Sequence, residues 1–208
     1  MMKNASIKNV VFDLGGVLIS WKPDEIIESL FVAQELRALI KREVFQHADW
    51  LSMDRGQLEE ADAIQRFHQR TGVSLDQLEQ LLQRVKESLT PIPESVELLD
   101  DLAAQGIDLY CLSNMPACRF KYIRPRYQFW DHFKGIVISG VVKMVKPDRE
   151  IFEYLLSRFQ LQPSATVFVD DYPLNLEGAQ QLGLHTILFR NADECRRELE
   201  SRLMSCQT

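Results

Sequence analysis

Val10-Val11-Phe12-Asp13-Leu14-Gly15-Gly16-Val17 decides the fold: an apolar run stops on a carboxylate, and two glycines follow. A run this short and this continuous in branched and aromatic residues reads as a strand buried on both faces. Two further runs stop in the same manner. Leu109-Tyr110-Cys111-Leu112 ends at Ser113-Asn114, and Val167-Phe168-Val169 ends at Asp170-Asp171. Ile136-Val137-Ile138 and Thr186-Ile187-Leu188-Phe189 complete a set of five. In an open parallel sheet, ligands bind beyond the carboxyl ends of the strands. Were these runs neighbouring strands, one crevice would collect carboxylates, a hydroxyl and an amide.

Helical patterns fall between the later runs. Glu94 to Gln105 places Val96, Leu98, Leu99 and Leu102 on one face and stops at Gly106. Arg149 to Phe159 repeats this with Ile151, Phe152, Leu155 and Leu156, and Asn175 to Leu182 ends at Gly183, a C-terminal cap. Alternating strand and helix predicts an α/β fold with a doubly wound parallel sheet. From Pro23 to Leu89 the alternation lapses. Three amphipathic helical stretches, near Asp24–Phe45, Gln57–Thr71 and Leu75–Leu89, are separated by the turns Asp54-Arg55-Gly56 and Thr71-Gly72. Thr90-Pro91-Ile92-Pro93 then enforces an extended connection. Residues 21–90 are therefore expected to form a helical insertion, with 1–20 and 91–208 forming the core.

The chain has 208 residues, room for one sizeable domain with a modest insertion. A formal net charge of -6 argues against broad binding to a phosphate backbone, so nucleic acid is not an expected partner. No apolar stretch approaches the ~20 residues of a membrane span. The polar Met1–Asn9 segment does not read as a signal peptide. Cys111, Cys118, Cys195 and Cys206 show no CxxC pairing and no metal-like spacing with the histidines, consistent with reduced thiols and a cytoplasmic location.

The strand ends suit phosphoryl transfer, which asks a protein mainly for positioning and charge stabilisation. Asp13 is the candidate nucleophile, since a carboxylate can form an aspartyl-phosphate. A carboxylate attacking a phosphate dianion needs cations beside it. Mg²⁺ is commonly held by one or two carboxylates with substrate oxygens and waters, a set that Asp13 and Asp170 supply, with Asp171 nearby. Lys146, before Pro147, is the second candidate cation. Ser113 and Asn114 are suitable donors to phosphate oxygens, and Gly15 and Gly16 permit a tight turn behind Asp13. Taken singly, a strand-end Asp reads as a turn residue, Ser113-Asn114 as a helix start and Lys146-Pro147 as surface loop. Adjacent Asp170-Asp171 is harder to dismiss, because the pair repels unless a cation holds it.

In this order, with Lys146-Pro147-Asp148 and Asp170-Asp171-Tyr172-Pro173-Leu174-Asn175, the motifs resemble those of the haloacid dehalogenase-like hydrolases over nearly the whole chain. Within that family they look like the branch containing bacterial α-D-glucose-1-phosphate phosphatase. The resemblance implies a Rossmann-like core and a cap inserted between the first and second motifs. It implies that Asp13 is nucleophile and Mg²⁺ ligand, that the Gly15 carbonyl and Asp170 complete the protein's metal contacts, and that Ser113, Asn114 and Lys146 hold the phosphate. Asp171 and Asn175 would steady the metal-binding loop.

One departure matters. Phosphatases of this family usually carry an acid two residues after the nucleophile, where this chain has Gly15. General acid–base catalysis contributes roughly 10²–10⁴-fold. Without a substitute, such an enzyme is expected to favour good leaving groups, such as an anomeric sugar oxygen. The substrate expected is a small phosphorylated metabolite.

Arg55 is the insertion's candidate for reaching the core, and Trp50 could stack on a sugar face; a solvated arginine and a packed tryptophan are the plainer alternatives. His47, His68, His132 and His185 show no paired spacing. Arg119 to Phe133 interleaves aromatic and basic residues, as single-stranded nucleic-acid surfaces do. Its place after the second motif favours an irregular helix packed on the sheet edge, or a dimer surface; monomer and homodimer both stay open. Asp193 to Met204 reads as a charged helix covering the last strand. A 2-haloacid dehalogenase, which needs no metal, and a non-catalytic binding protein that keeps the fold are the competing functions.

Overall fold

The computed structural model describes residues 7–204; Met1–Ser6 and Cys206 lie outside the described residues. Five parallel strands, β1 (Asn9–Phe12), β2 (Asp108–Ser113), β3 (Phe133–Ile138), β4 (Thr166–Asp170) and β5 (His185–Leu188), stand in the order β3-β2-β1-β4-β5. The chain winds outward from β1 on one side, then crosses back to β4, so the crevice between the two directions opens above β1 and β4. Register keeps the strand ends level: Phe12 lies opposite both Cys111 and Val169.

Both faces of the sheet are covered, which is why the strands read as continuous apolar runs. Val10, Phe12, Leu109, Cys111, Val167 and Val169 point into one cluster; Val11, Tyr110, Leu112 and Phe168 point into the other. Each large side chain so buried stabilises the fold by roughly 1.5–3 kcal/mol before the entropy of ordering it is counted.

The insertion comprises α1 (Pro23–Leu30), α2 (Gln34–Ile40, running into a π-helical turn over Lys41–Phe45), α3 (Ala48–Asp54), α4 (Glu60–Thr71) and α5 (Leu75–Ser88). The sequence led us to expect one helical stretch over Asp24–Phe45. It is broken after Leu30, where Phe31 is extended and Val32 is exposed. The short helix α3 is additional. Buried residues from Ile26 to Val85 form a separate apolar cluster. Two strands of chain join it to the sheet side by side: Ser20 N donates to Thr90 O at 2.8 Å and Ile92 N to Leu18 O at 2.9 Å.

On the sheet side, α6 (Pro93–Ala104) packs with the first cluster and α7 (Ala117–Ile123) follows β2. Two 3₁₀ turns, Arg124–Arg126 and Phe129–His132, complete the irregular segment expected there, with Phe129 and Trp130 buried against the sheet. Beyond β3 come α8 (Ser139–Val142), α9 (Arg149–Phe159), α10 (Pro173–Gln180) and α11 (Ala192–Met204). The strand expected through Phe189 ends one residue earlier, yet Phe189 N still donates to Asp170 O at 2.9 Å. Among the described residues, Cys111, Cys118 and Cys195 are free thiols, and no helix is long and apolar enough to cross a membrane.

Candidate active site

The level strand ends bring four predicted residues together. Asp13 follows β1 directly, its N–H donating to Val169 O at 2.9 Å, so the ladder itself fixes its position. Lys146, in the loop before α9, is buried with its Nζ 2.8 Å from Asp13 Oδ1 and 2.6 Å from Asp170 Oδ2. Asp170 is fully buried; its Oδ1 accepts from Tyr172 N at 2.8 Å, and Asn175 Nδ2 lies 3.0 Å from both its oxygens. Ser113, at the end of β2, is buried beside them.

Asn114 stands differently from expectation. Its Nδ2 donates to Lys146 O at 2.9 Å and its Oδ1 accepts from Lys146 N at 2.8 Å. The amide therefore clamps the lysine's main chain, which leaves one N–H for any other acceptor. The two glycines also differ. Gly16 has φ +79°, and a Cβ there would fall 2.3 Å from Asp171 Oδ2, so only glycine lets that carboxylate approach. At Gly15 a Cβ would meet only Trp21, at 3.6 Å.

Asp13, Asp170 and Asp171 offer carboxylate oxygens within 4.8 Å of one another. Three carboxylates against the single Lys146 ammonium leave an excess of two negative charges, the charge of one divalent cation. Hard oxygen donors of this type suit Mg²⁺. The electrostatics express the same imbalance. Burial lifts Asp13 to about 7, with Lys146 opposing and Asp170 and Asp171 adding to the rise. Desolvation and the adjacent Asp170 lift Asp171 to about 6. Burial pulls Lys146 down, but Asp13 and Asp170 outweigh it and hold its ammonium above the ordinary lysine range.

A cavity of about 290 Å³ opens over these groups. Asp13, Ser113 and Lys146 line it from the sheet; Trp21, Phe45 and Trp50 form an aromatic wall. The Phe45 and Trp50 rings lie 4.6 Å apart and those of Trp21 and Trp50 5.7 Å. Trp50, read from sequence as either a stacking or a packed residue, is buried and faces the cavity.

Trp21 and Phe45 were not anticipated, and neither were two charged lining residues. Asp54, the last residue of α3, is buried, and burial raises its carboxyl to about 7 against the lowering effect of Arg119. Arg119, on α7, is 3% exposed and lies 4.4 Å over the Trp50 ring. Its Nε approaches Glu60 Oε1 at 3.5 Å without hydrogen-bond geometry, and its Nη2 has no hydrogen-bond partner among the described residues. Arg55, the expected cap contact to substrate, pairs with Asp148 at 2.8 Å and is not among the residues lining the cavity.

Residues 7–183 match the haloacid dehalogenase-like hydrolase family. The chain is 30% identical to the sesquiterpene phosphatase astK of Aspergillus oryzae over 86% of this chain and 88% of that protein. It is 25% identical to the D-ribitol-5-phosphate phosphatase of Bacteroides thetaiotaomicron, over 93% and 97% of the two chains. A wild-type haloacid dehalogenase family enzyme from Bacteroides thetaiotaomicron, solved with magnesium and inorganic phosphate, superposes with a TM-score of 0.69 at 26% identity, covering 88% of this chain and 94% of that one.

Proposed function

The chain belongs to the haloacid dehalogenase-like hydrolases, and from that membership we propose that it is a Mg²⁺-dependent phosphatase acting on a small phosphorylated metabolite. The observation that carries this reading is the buried Asp13–Lys146–Asp170 array beneath a ligand-sized cavity. Residues 21–90 are taken as the cap and 1–20 with 91–208 as the core. The enzyme is placed in the cytoplasm.

Asp13 attacks phosphorus and forms an aspartyl-phosphate, which water then hydrolyses. Asp13, the Gly15 carbonyl and Asp170 would hold Mg²⁺, which when bound supplies charge neutralisation for the phosphoryl group. Lys146 delivers a second positive charge to the same oxygens, and the Asn114 clamp keeps it there. Ser113 donates its hydroxyl to a phosphate oxygen. Asn175 keeps Asp170 in place through both its oxygens, and Asp171 is assigned to the same loop as its steadying carboxylate.

The leaving group lies against Trp21, Phe45 and Trp50. A sugar ring stacks on such a surface, and an anomeric ester is the favoured sugar phosphate. The aromatic wall equally favours an apolar skeleton such as an isoprenoid.

Turnover of p-nitrophenyl phosphate with Mg²⁺ and with EDTA tests the assignment. Metal-dependent hydrolysis is expected. Activity on 2-haloacids that survives EDTA would replace it with a dehalogenase. A panel of anomeric sugar phosphates, 6-phosphates and isoprenoid phosphates then selects the substrate class.

A further inference from the structure

We infer that Asp54, carried by the cap, is the general acid and base that Gly15 cannot be. This deepens the phosphatase reading and rests on it.

Asp54 lines the same cavity as Asp13 while 8% exposed, and among the described residues its carboxylate accepts no hydrogen bond. A buried carboxyl kept for structure is ordinarily paired. This one is instead held from behind, through its main chain. The Asp54 carbonyl accepts from Ser139 Oγ at 2.6 Å, and the Gly56 carbonyl accepts from Lys143 Nζ at 2.6 Å. Arg55 between them pairs with Asp148. Gly56 has φ +68°, and a Cβ there would sit 2.6 Å from Gly140 O, so the turn presses backbone to backbone on the core. Three successive residues anchor the turn and leave the Asp54 side chain free in the cavity. Asp13 and Lys146 from the core and Arg119 from α7 are the charged groups acting on it; burial favours its neutral, proton-donating form.

The chemistry balances. Asp13 attacks phosphorus, the bond from phosphorus to the leaving oxygen breaks, and that oxygen takes the Asp54 proton and departs as an alcohol. The Asp54 carboxylate then takes a proton from water as the water oxygen attacks the aspartyl-phosphate at phosphorus. The bond to Asp13 breaks, inorganic phosphate leaves, and both carboxyl groups return to their starting states.

The experiment compares wild type with Asp54→Asn on p-nitrophenyl phosphate and on a simple alkyl phosphate, resolving the first turnover by rapid quench. A nitrophenolate leaves without a proton; an alkoxide does not. In the variant, p-nitrophenolate release should show a burst followed by slow turnover, because only the second step needs the base. Alkyl ester hydrolysis should fall by roughly 10²–10⁴-fold with no burst. Equal losses on both esters without a burst, or no loss on the alkyl ester, would overturn the role of Asp54. Should Asp54→Asn fail to fold, Asp54→Ser reads the same comparison. Absence of Mg²⁺-dependent turnover in wild type would instead remove the phosphatase reading itself.

Discussion

Ser139 Oγ donates a 2.6 Å hydrogen bond to the carbonyl of Asp54 while accepting one at 2.8 Å from the N–H of Met115. One buried hydroxyl thus ties the end of α3 in the insertion to the loop that follows Ser113-Asn114. Ser139→Ala would leave a buried carbonyl and a buried amide unsatisfied, at a cost of about 1–3 kcal/mol. We expect a lower thermal midpoint and slower turnover together. Gly56→Ala, strained at φ +68° and pressed on Gly140 O, should impair turnover in the same direction. Unchanged kinetics in both variants would show that this anchor does not matter to the reaction.

Asp54 also makes a prediction about stability. An unfolded aspartate titrates near ~3.9, whereas burial holds Asp54 at about 7 in the folded chain, Arg119 and Lys146 lowering it and Asp13 raising it. The folded state therefore binds more protons than the unfolded state across that interval. The stability this group contributes is present below the unfolded value and is lost as pH rises through about 7. Asp54→Asn removes the dependence. Its thermal midpoint should gain on that of wild type between about pH 4 and about pH 7, and a constant difference would contradict the burial argument.

The three central strands β1, β2 and β4 and the residues at their ends were legible because burial on both faces writes an unbroken apolar run, and a polar stop then marks the crevice. Asp54 was not. In sequence it opens Asp54-Arg55-Gly56, an ordinary turn, and α3 before it is too short to show a period. Its importance arises from contact with Ser139, which lies far along the chain. Arg119 was hidden likewise within an aromatic and basic segment whose aromatic members pack on the core and whose lysine and other arginines are exposed. Asn114 was singled out by its motif as a phosphate donor, but its clamp on Lys146 requires the loop to be seen.

Arg119 offers a cation to the cavity beside Trp50. Glu60 keeps a 2.6 Å pairing with Lys86 when the arginine is removed, so the fold has a partner for that acid. Arg119→Ala should raise KM by roughly tenfold or more, with a smaller fall in kcat, as expected for loss of a charge-assisted contact. A kcat loss with unchanged KM would place Arg119 in the chemical step instead.

Gly15 leaves room for what it lacks. A Cβ there meets only Trp21, at 3.6 and 3.7 Å, so Gly15→Asp should fold. Combined with Asp54→Asn, it should recover part of the alkyl ester turnover lost in the single variant. No recovery in a folded double variant would mean that a carboxyl at position 15 does not reach the leaving oxygen.

Asp13 is expected to carry the phosphoryl group through the reaction. Wild type mixed with Mg²⁺ and p-nitrophenyl phosphate, quenched in acid within the first turnover and digested, reads this by peptide mass. A phosphate is predicted on the peptide containing Asp13, absent with EDTA and absent in Asp13→Asn, which should also lose turnover. Phosphate on another residue, or full turnover by Asp13→Asn, would contradict the account.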